Sequence, residues 1–336
     1  MGKRKLNRRQ TRRIGKLHGE RAQRAAREAS APAQVRVDGA LGPEREGLVI
    51  AHHGKQVVVE SESGIPRRCH LRANLEGLVT GDRVVWCESE PTGVVVAQLP
   101  RQNELSRPDA RGALKPVAAN IDQMVIVVAP VPQPHANLID RYLVAAETLA
   151  IEPLILLNKS DLLDEAPQPG EDVTDLLAPY PAIGYRVLQS CNRPGAKAPL
   201  AAALRGRVSV LVGQSGVGKS SLVNTLVPQA DVAVGELSAN RGKGRHTTST
   251  ARLLHLGCGG SLIDSPGIRE FGLWPMHHSE LAWGFREFRR FLGNCRFRDC
   301  NHEREPGCAI LEAVASGAIS ERRLQSYRHI AGAPQC

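Results

Sequence analysis

The sequence predicts a three-part protein: an open parallel α/β sheet carrying a phosphate loop, a small β-barrel before it and a helical metal-binding segment after it. Three observations lead there. Residues Gly213–Ser220 read G-Q-S-G-V-G-K-S, a glycine loop set between an apolar strand and a helix. Residues 121–212 alternate apolar runs with helical periodicity, the pattern of βαβ units. Cys295, Cys300, His302 and Cys308 crowd into one short stretch.

A chain of 336 residues has room for two or three compact domains. Apolar content of 42% and charged content of 23% match ordinary globular usage. No long uninterrupted apolar run occurs, so no membrane span is expected. The basic start lacks the apolar core of a secretory signal. Organellar presequences are also Arg-rich, but this arm is poor in Ser and leads straight into strand-like sequence, which favours a cytoplasmic chain. No heptad pattern or long apolar edge argues for more than a monomer.

The first element in order is a basic arm, residues 1–34. Residues 1–30 hold eleven Lys/Arg against Glu20 and Glu28, which accounts for nearly all of the net charge of +10. Such a block reads as a solvated, disordered tail or as a nucleic-acid arm that displaces counterions from phosphates, and the two are compatible.

Residues 35–102 read as a barrel of the oligonucleotide-binding (OB) type. Val-rich runs at 47–51, 56–60, 82–87 and 93–98 are separated by Gly, Pro, Asn and Asp turn signals. Trp86 is the only aromatic residue there, so an RNA-binding role would rest on backbone and shape rather than base stacking. A spacer or docking role is the alternative.

Residues 103–275 form the α/β part. The apolar run at 121–129 suits a buried parallel strand, further strands are expected at 153–157, 185–189 and 208–212, and 137–150 suits an amphipathic helix with Asn137 as its cap. In Gly213, Gln214, Ser215, Gly216, Val217, Gly218, Lys219, Ser220 and Ser221 the glycines let backbone N–H groups turn toward phosphate oxygens. Lys219 would reach the β- and γ-phosphates and the Ser220 hydroxyl would hold Mg²⁺. The base is set by Asn158, Lys159, Ser160 and Asp161 at the end of a strand. The Asp161 carboxylate accepts from two donors that guanine has and adenine lacks, so the ligand pair is GTP/GDP. Asn158 would fix the loop, and Lys159 would lay its stem on the base.

Downstream, residues 249–256 and 261–264 read as a hairpin whose second strand runs into Asp264-Ser-Pro-Gly267. Asp264 there can hold Mg²⁺ through water, and the Gly267 amide can contact the γ-phosphate. The Gly-rich loop before the hairpin ends in Thr247 and Thr248; Thr248 is read as a Mg²⁺-sensing switch residue, or else as ordinary strand entry. A water-orienting Gln often follows such an Asp-x-x-Gly, but here the position is Ile268. His246, beside the switch Thr pair, is the candidate to replace it, against the alternative of an exposed loop histidine. Turnover of the free protein should then be weak and depend on a partner. The motifs run guanine loop, phosphate loop, switch Thr, Asp-x-x-Gly, a circularly permuted order that joins the last switch directly to the C-terminal segment.

Residues 276–336 contain the metal cluster. Cys295, Cys300, His302 and Cys308 suit one closed, tetrahedral, structural Zn²⁺ site better than disulfides. Cys69, Cys87, Cys191 and Cys258 read as small, partly buried residues. Arg286, Arg289, Arg290, Arg296, Arg298, Arg322, Arg323 and Arg328 flank the cluster, as a second RNA-contacting surface or as plainly solvated faces.

These motifs resemble the bacterial small ribosomal subunit biogenesis GTPases of the RsgA (YjeQ) type: N-K-S-D at Asn158, G-Q-S-G-V-G-K-S-S at Gly213, G-R-H-T-T at Gly244, D-S-P-G-I at Asp264 and the Cys/His cluster. The resemblance runs from the barrel to about residue 331 and leaves out the basic arm. It implies a circularly permuted P-loop GTPase domain with an OB-type barrel before it and an α-helical zinc-binding domain after it. It also implies the small ribosomal subunit and its rRNA as partner, stimulation of hydrolysis by that particle, and a catalytic role for His246. An RNA-binding adaptor that keeps GTP as a structural ligand is the competing expectation, kept alive by Ile268.

Overall fold

A computed structural model describes residues 42–54, 56–72, 75, 77–108, 113–163, 172–227, 251–265, 268 and 276–332. The basic arm, His246, Thr248 and Gly267 lie outside the described residues. The chain divides into two compact units, the first built on residues up to Glu104 with Pro116–Asn120 and 251–253, the second on the remainder.

The first unit is a closed barrel of β1 (Glu44–His53), β2 (Gln56–Ser61), β3 (Pro66–Leu71), β4 (Arg83–Cys87) and β5 (Gly93–Gln98). β1 pairs with β2 and β4, β2 with β3, β3 in parallel with β5, and β5 with β4. The circuit β1-β2-β3-β5-β4-β1 leaves no free edge, as a barrel of this class requires. A register shift between Val49 and Ala51 lets the long β1 bend. Val49, Val57, Val59, Val84, Trp86 and Val95 fill the interior. Trp86 is only 2% exposed, so it is core and offers no face to a base. β3 escapes the periodicity argument because only Cys69 in Pro66–Leu71 is buried. Asp82, fully buried, is held by the Arg101 guanidinium at 2.7 Å and by the Val79 amide, which fixes the turn into β4.

A two-stranded ribbon, β6 (Glu104–Pro108) and β7 (Leu114–Ala119), follows. The second unit is an open sheet in the order β10-β9-β8-β11-β13: β8 (Gln123–Val128), β9 (Glu152–Leu157), β10 (Arg186–Gln189), β11 (Val208–Val212) and β13 (Ser261–Asp264). All four pairings are parallel, so every strand ends at one edge. β12 is Arg252–His255, and Arg252 pairs with Ala51 of β1 inside the first unit. Helix α1 (Ala136–Thr148) links β8 to β9; α2 (Val173–Leu177), α3 (Pro179–Ile183) and α4 (Ala198–Leu204) follow, and α5 (Lys219–Leu226) leaves the phosphate loop. The helix cap differs from expectation. His135 occupies the cap position of α1, and the Asn137 side chain instead accepts a hydrogen bond from Ser326.

The C-terminal segment belongs to the same compact unit. It holds α6 (His278–Trp283), a 3-10 turn at Arg286–Phe288, the Cys/His loop, α7 (Ala309–Ala315) and α8 (Glu321–Gly332). Phe285, Phe288 and Tyr327 form its centre, with the two Phe rings stacked at 4.9 Å and Val144 of α1 packed into the same cluster.

Candidate functional site

Because the strands are parallel, the loops after β8, β9, β10 and β11 gather at one sheet edge, where open α/β sheets bind their ligands. The phosphate loop leaves β11 at Gly213, whose φ is +139°; a Cβ there would run into the Val127 carbonyl oxygen. Gly218, at φ +96°, caps α5 and turns its first amides, those of Lys219, Ser220 and Ser221, toward the loop. Lys219 is 9% exposed, and its Nζ donates to the Gly213 and Gln214 carbonyls at 2.7 Å each. The curled backbone, its positive-φ glycines and the lysine folded over it make a backbone nest of the kind that binds anions.

The guanine motif is docked onto that loop. Asn158 is 6% exposed, and its Nδ2 donates to the Val217 carbonyl at 2.9 Å. Lys159 sits in the left-handed region at φ 55°, which carries its Nζ across to the Gly216 and Val131 carbonyls at 2.7 and 3.0 Å. Ser160 opens a 3-10 turn that contains Asp161, half-buried. Ser215 and Gly216 are exposed at the loop tip and Val217 is buried under it. Asp264 ends β13, half-buried. Ile268 is 1% exposed, its amide on the Ser265 carbonyl, so the position that often supplies a water-orienting glutamine faces the core.

Two supports escaped the sequence. Ser190, 1% exposed, donates from Oγ to Asn158 Oδ1 at 2.9 Å, and its carbonyl receives the Ser160 amide. It follows β10, the strand beside β9, so a parallel-sheet reading could have put it at the same edge. Tyr142 on α1 accepts a hydrogen bond from the Gly213 amide, and burial raises its pKa above the ordinary range. With Leu138, Ile139, Gln214 and Val217 it lines a small apolar cleft under the phosphate loop.

The Cys/His cluster is assembled. The ligand atoms of Cys295, Cys300, His302 and Cys308 all lie within 4.8 Å of one another. Cys295 Sγ to Cys308 Sγ is 3.9 Å, and His302 Nδ1 lies 3.6 and 3.4 Å from those sulfurs. Tetrahedral zinc bonds imply S···S edges of roughly 3.8 Å and S···N edges of roughly 3.6 Å. The donor set fits Zn²⁺ in kind and spacing. Desolvation pushes the Cys300 thiol up to about 12, opposed by a backbone hydrogen bond at His302 and reinforced by the neighbouring thiols. A divalent cation is what makes thiolates stable there. The Tyr327 hydroxyl donates to the Asn301 carbonyl at 3.0 Å and anchors the loop to α8.

The arginines around the cluster divide in two. Arg296 and Arg298 are exposed, as a solvated or RNA-facing surface expects. Arg323, by contrast, is fully buried and bridges Asp140 of α1 to Glu287 of the 3-10 turn. Burial pulls its pKa down, but the two carboxylates outweigh this and hold it well above the usual arginine value. Arg286 and Arg289 each reach Glu147 of α1 at 2.6 Å. These three are internal struts, not a free RNA face. Cys69, Cys87 and Cys191 are buried and Cys258 half-buried, as expected.

The RsgA GTPase family model matches residues 98–274. The chain is 59% identical to the small ribosomal subunit biogenesis GTPase RsgA of Azotobacter vinelandii, over 98% of this chain and 97% of that one. It is also 59% identical to the protein of that name from Pseudomonas aeruginosa, over 98% and 97%. The solved structure of YjeQ from Thermotoga maritima superposes with a TM-score of 0.67 at 33% identity, covering 86% of this chain and 97% of that one. That of YloQ, described as a circularly permuted GTPase, gives 0.66 at 28%, covering 89% and 96%.

Proposed function

Because this chain belongs to the RsgA family of small ribosomal subunit biogenesis GTPases, we propose that it hydrolyses GTP to GDP and phosphate while engaged on the small ribosomal subunit late in that particle's maturation. The observation that carries the reading is the docking of the guanine motif on the phosphate loop, Asn158 on Val217 and Lys159 on Gly216. The guanine motif thus donates to carbonyls of a loop that begins 55 residues later in sequence, which brings the two together as a single nucleotide site needs.

In this reading Asp161 selects guanine and the Lys159 stem lies along the base. Lys219 leaves its backbone carbonyls for the β- and γ-phosphates, joined by the amides of Gly213–Ser221 and of Gly267. Mg²⁺ would be held by the Ser220 and Thr248 hydroxyls, with Asp264 reaching it through water, and would offset charge building on the phosphates. His246 orients the attacking water, a task that buried Ile268 cannot perform. The single Zn²⁺ at Cys295, Cys300, His302 and Cys308 is structural. We further propose a basic arm over 1–34, a barrel over 35–102, a GTPase domain over 103–275 and a zinc domain over 276–336, acting as a cytoplasmic monomer. The arm adds an rRNA anchor on charge alone. Among the described residues no helix is long and apolar enough to cross a membrane.

Phosphate release with and without purified small ribosomal subunits tests this, for the wild type, Lys219→Ala and His246→Ala. The wild type should turn over weakly alone and rise by up to roughly 10³–10⁵-fold with subunits. Lys219→Ala should abolish both rates and His246→Ala the stimulated part. A wild type that subunits do not stimulate overturns the reading in favour of an adaptor; stimulation kept in His246→Ala overturns only that residue's role.

A further inference from the structure

Helix α1 has two occupied faces. On one, Tyr142 receives the Gly213 amide and Leu138 and Ile139 line the cleft below the phosphate loop. On the other, Asp140 and Glu147 meet arginines that all come from the C-terminal segment. Arg323 and Asp140 are fully buried and Glu287 is 9% exposed, with Arg323 Nε 2.5 Å from Glu287. The Tyr180 hydroxyl donates to Asp140 at 2.7 Å, and the Phe285 ring lies 4.5 Å under the guanidinium. Such a contact has one register. An apolar interface can slide by small steps, but sliding this one would unpair charges already stripped of water.

We propose that Arg323 is a positioning residue of the GTPase reaction: through Asp140 it fastens the zinc-bearing segment to α1, and so carries a partner's pull on that segment to Gly213 of the phosphate loop. The proposal rests on the reading above, in which the small ribosomal subunit is the activating partner. Mechanical coupling of this kind runs through packed, rigid elements, and α1 is the described helix that touches the loop and the segment together. The link through the chain itself, from Asp264 to the C-terminal segment, is a second and separate route.

Removing Arg323 alone would strand two buried carboxylates, so the test neutralises the whole cluster with groups of similar shape, Asp140→Asn/Glu287→Gln/Arg323→Met. Thermal midpoint, zinc content, co-sedimentation with small ribosomal subunits, and phosphate release with and without subunits are measured on the full chain. Thermal midpoint and zinc content should stay at the wild-type values and subunit binding and the intrinsic rate within about twofold, while the ratio of stimulated to intrinsic rate drops by roughly 5–150-fold, the usual size of an allosteric coupling. Glu147→Gln, which loosens Arg286 and Arg289 only, should lose a smaller part of that ratio and stands in if the triple variant does not fold. A folded variant with wild-type stimulation overturns the proposal, as does a loss that tracks weaker subunit binding. A wild type without stimulation overturns the functional reading itself and takes this proposal with it.

Discussion

Replacing Gly218 with alanine would place a Cβ 2.5 Å from Asn158 Nδ2, in a backbone with φ of +96°. Two costs follow. A left-handed conformation costs an L-residue about 1–2 kcal/mol. Pushing the buried Asn158 amide off the Val217 carbonyl, 2.9 Å away, costs about 1–3 kcal/mol more. Both fall on nucleotide binding, since the loop needs this shape in order to wrap phosphate and can relax without it. At 1.4 kcal/mol per tenfold, GDP affinity should weaken by roughly 30-fold to 4,000-fold. Fluorescent GDP titration measures it, and a double-mutant cycle with Asn158→Ala isolates the cause. With Asn158 truncated the obstacle is gone, so adding Gly218→Ala should cost only the backbone strain, roughly 5-fold to 30-fold. An equal loss in both backgrounds would refute the claim that Asn158 is what the glycine makes room for. Wild-type affinity in Gly218→Ala would refute the loop geometry altogether.

Ser190→Ala leaves Asn158 Oδ1 buried without its donor at 2.9 Å, and should cost about 1–3 kcal/mol, read as a lower thermal midpoint and several-fold weaker GDP binding. Unchanged values for both would show that the hydrogen bond does not orient Asn158. At the Cys/His cluster, Cys308→Ser should remove one equivalent of zinc by metal analysis and lower the thermal midpoint, because Cys308 is also part of the core around Phe285 and Phe288. Since desolvation pushes the Cys300 thiol up to about 12, zinc must displace its proton at any pH below that, and apparent zinc affinity should fall steadily with pH from the alkaline range through neutral and below. Zinc affinity independent of pH would rule out thiolate ligation.

What the sequence made legible is what short spacing dictates. Gly213, Gly218 and Lys219 stand at fixed intervals because one loop needs all three, and the Cys/His cluster is likewise local. The apolar strands announced themselves, whereas β3, with Cys69 as its one buried residue, did not. Arg323 is the instructive failure. On its own helix it reads as one more exposed arginine; its burial is set by Asp140, 183 residues earlier, and no periodicity carries that pairing. The pairing also gives the permuted order a mechanical sense. α1 lies between β8 and β9, and β9 ends at Leu157, just before Asn158, so the helix that carries Tyr142 beneath Gly213 also leads into the guanine loop. A pull on Arg323 therefore reaches phosphate and base recognition together. An activator working through it should change the affinity for each nucleotide by the same factor by which that nucleotide changes the affinity for the activator, because binding linkage is reciprocal.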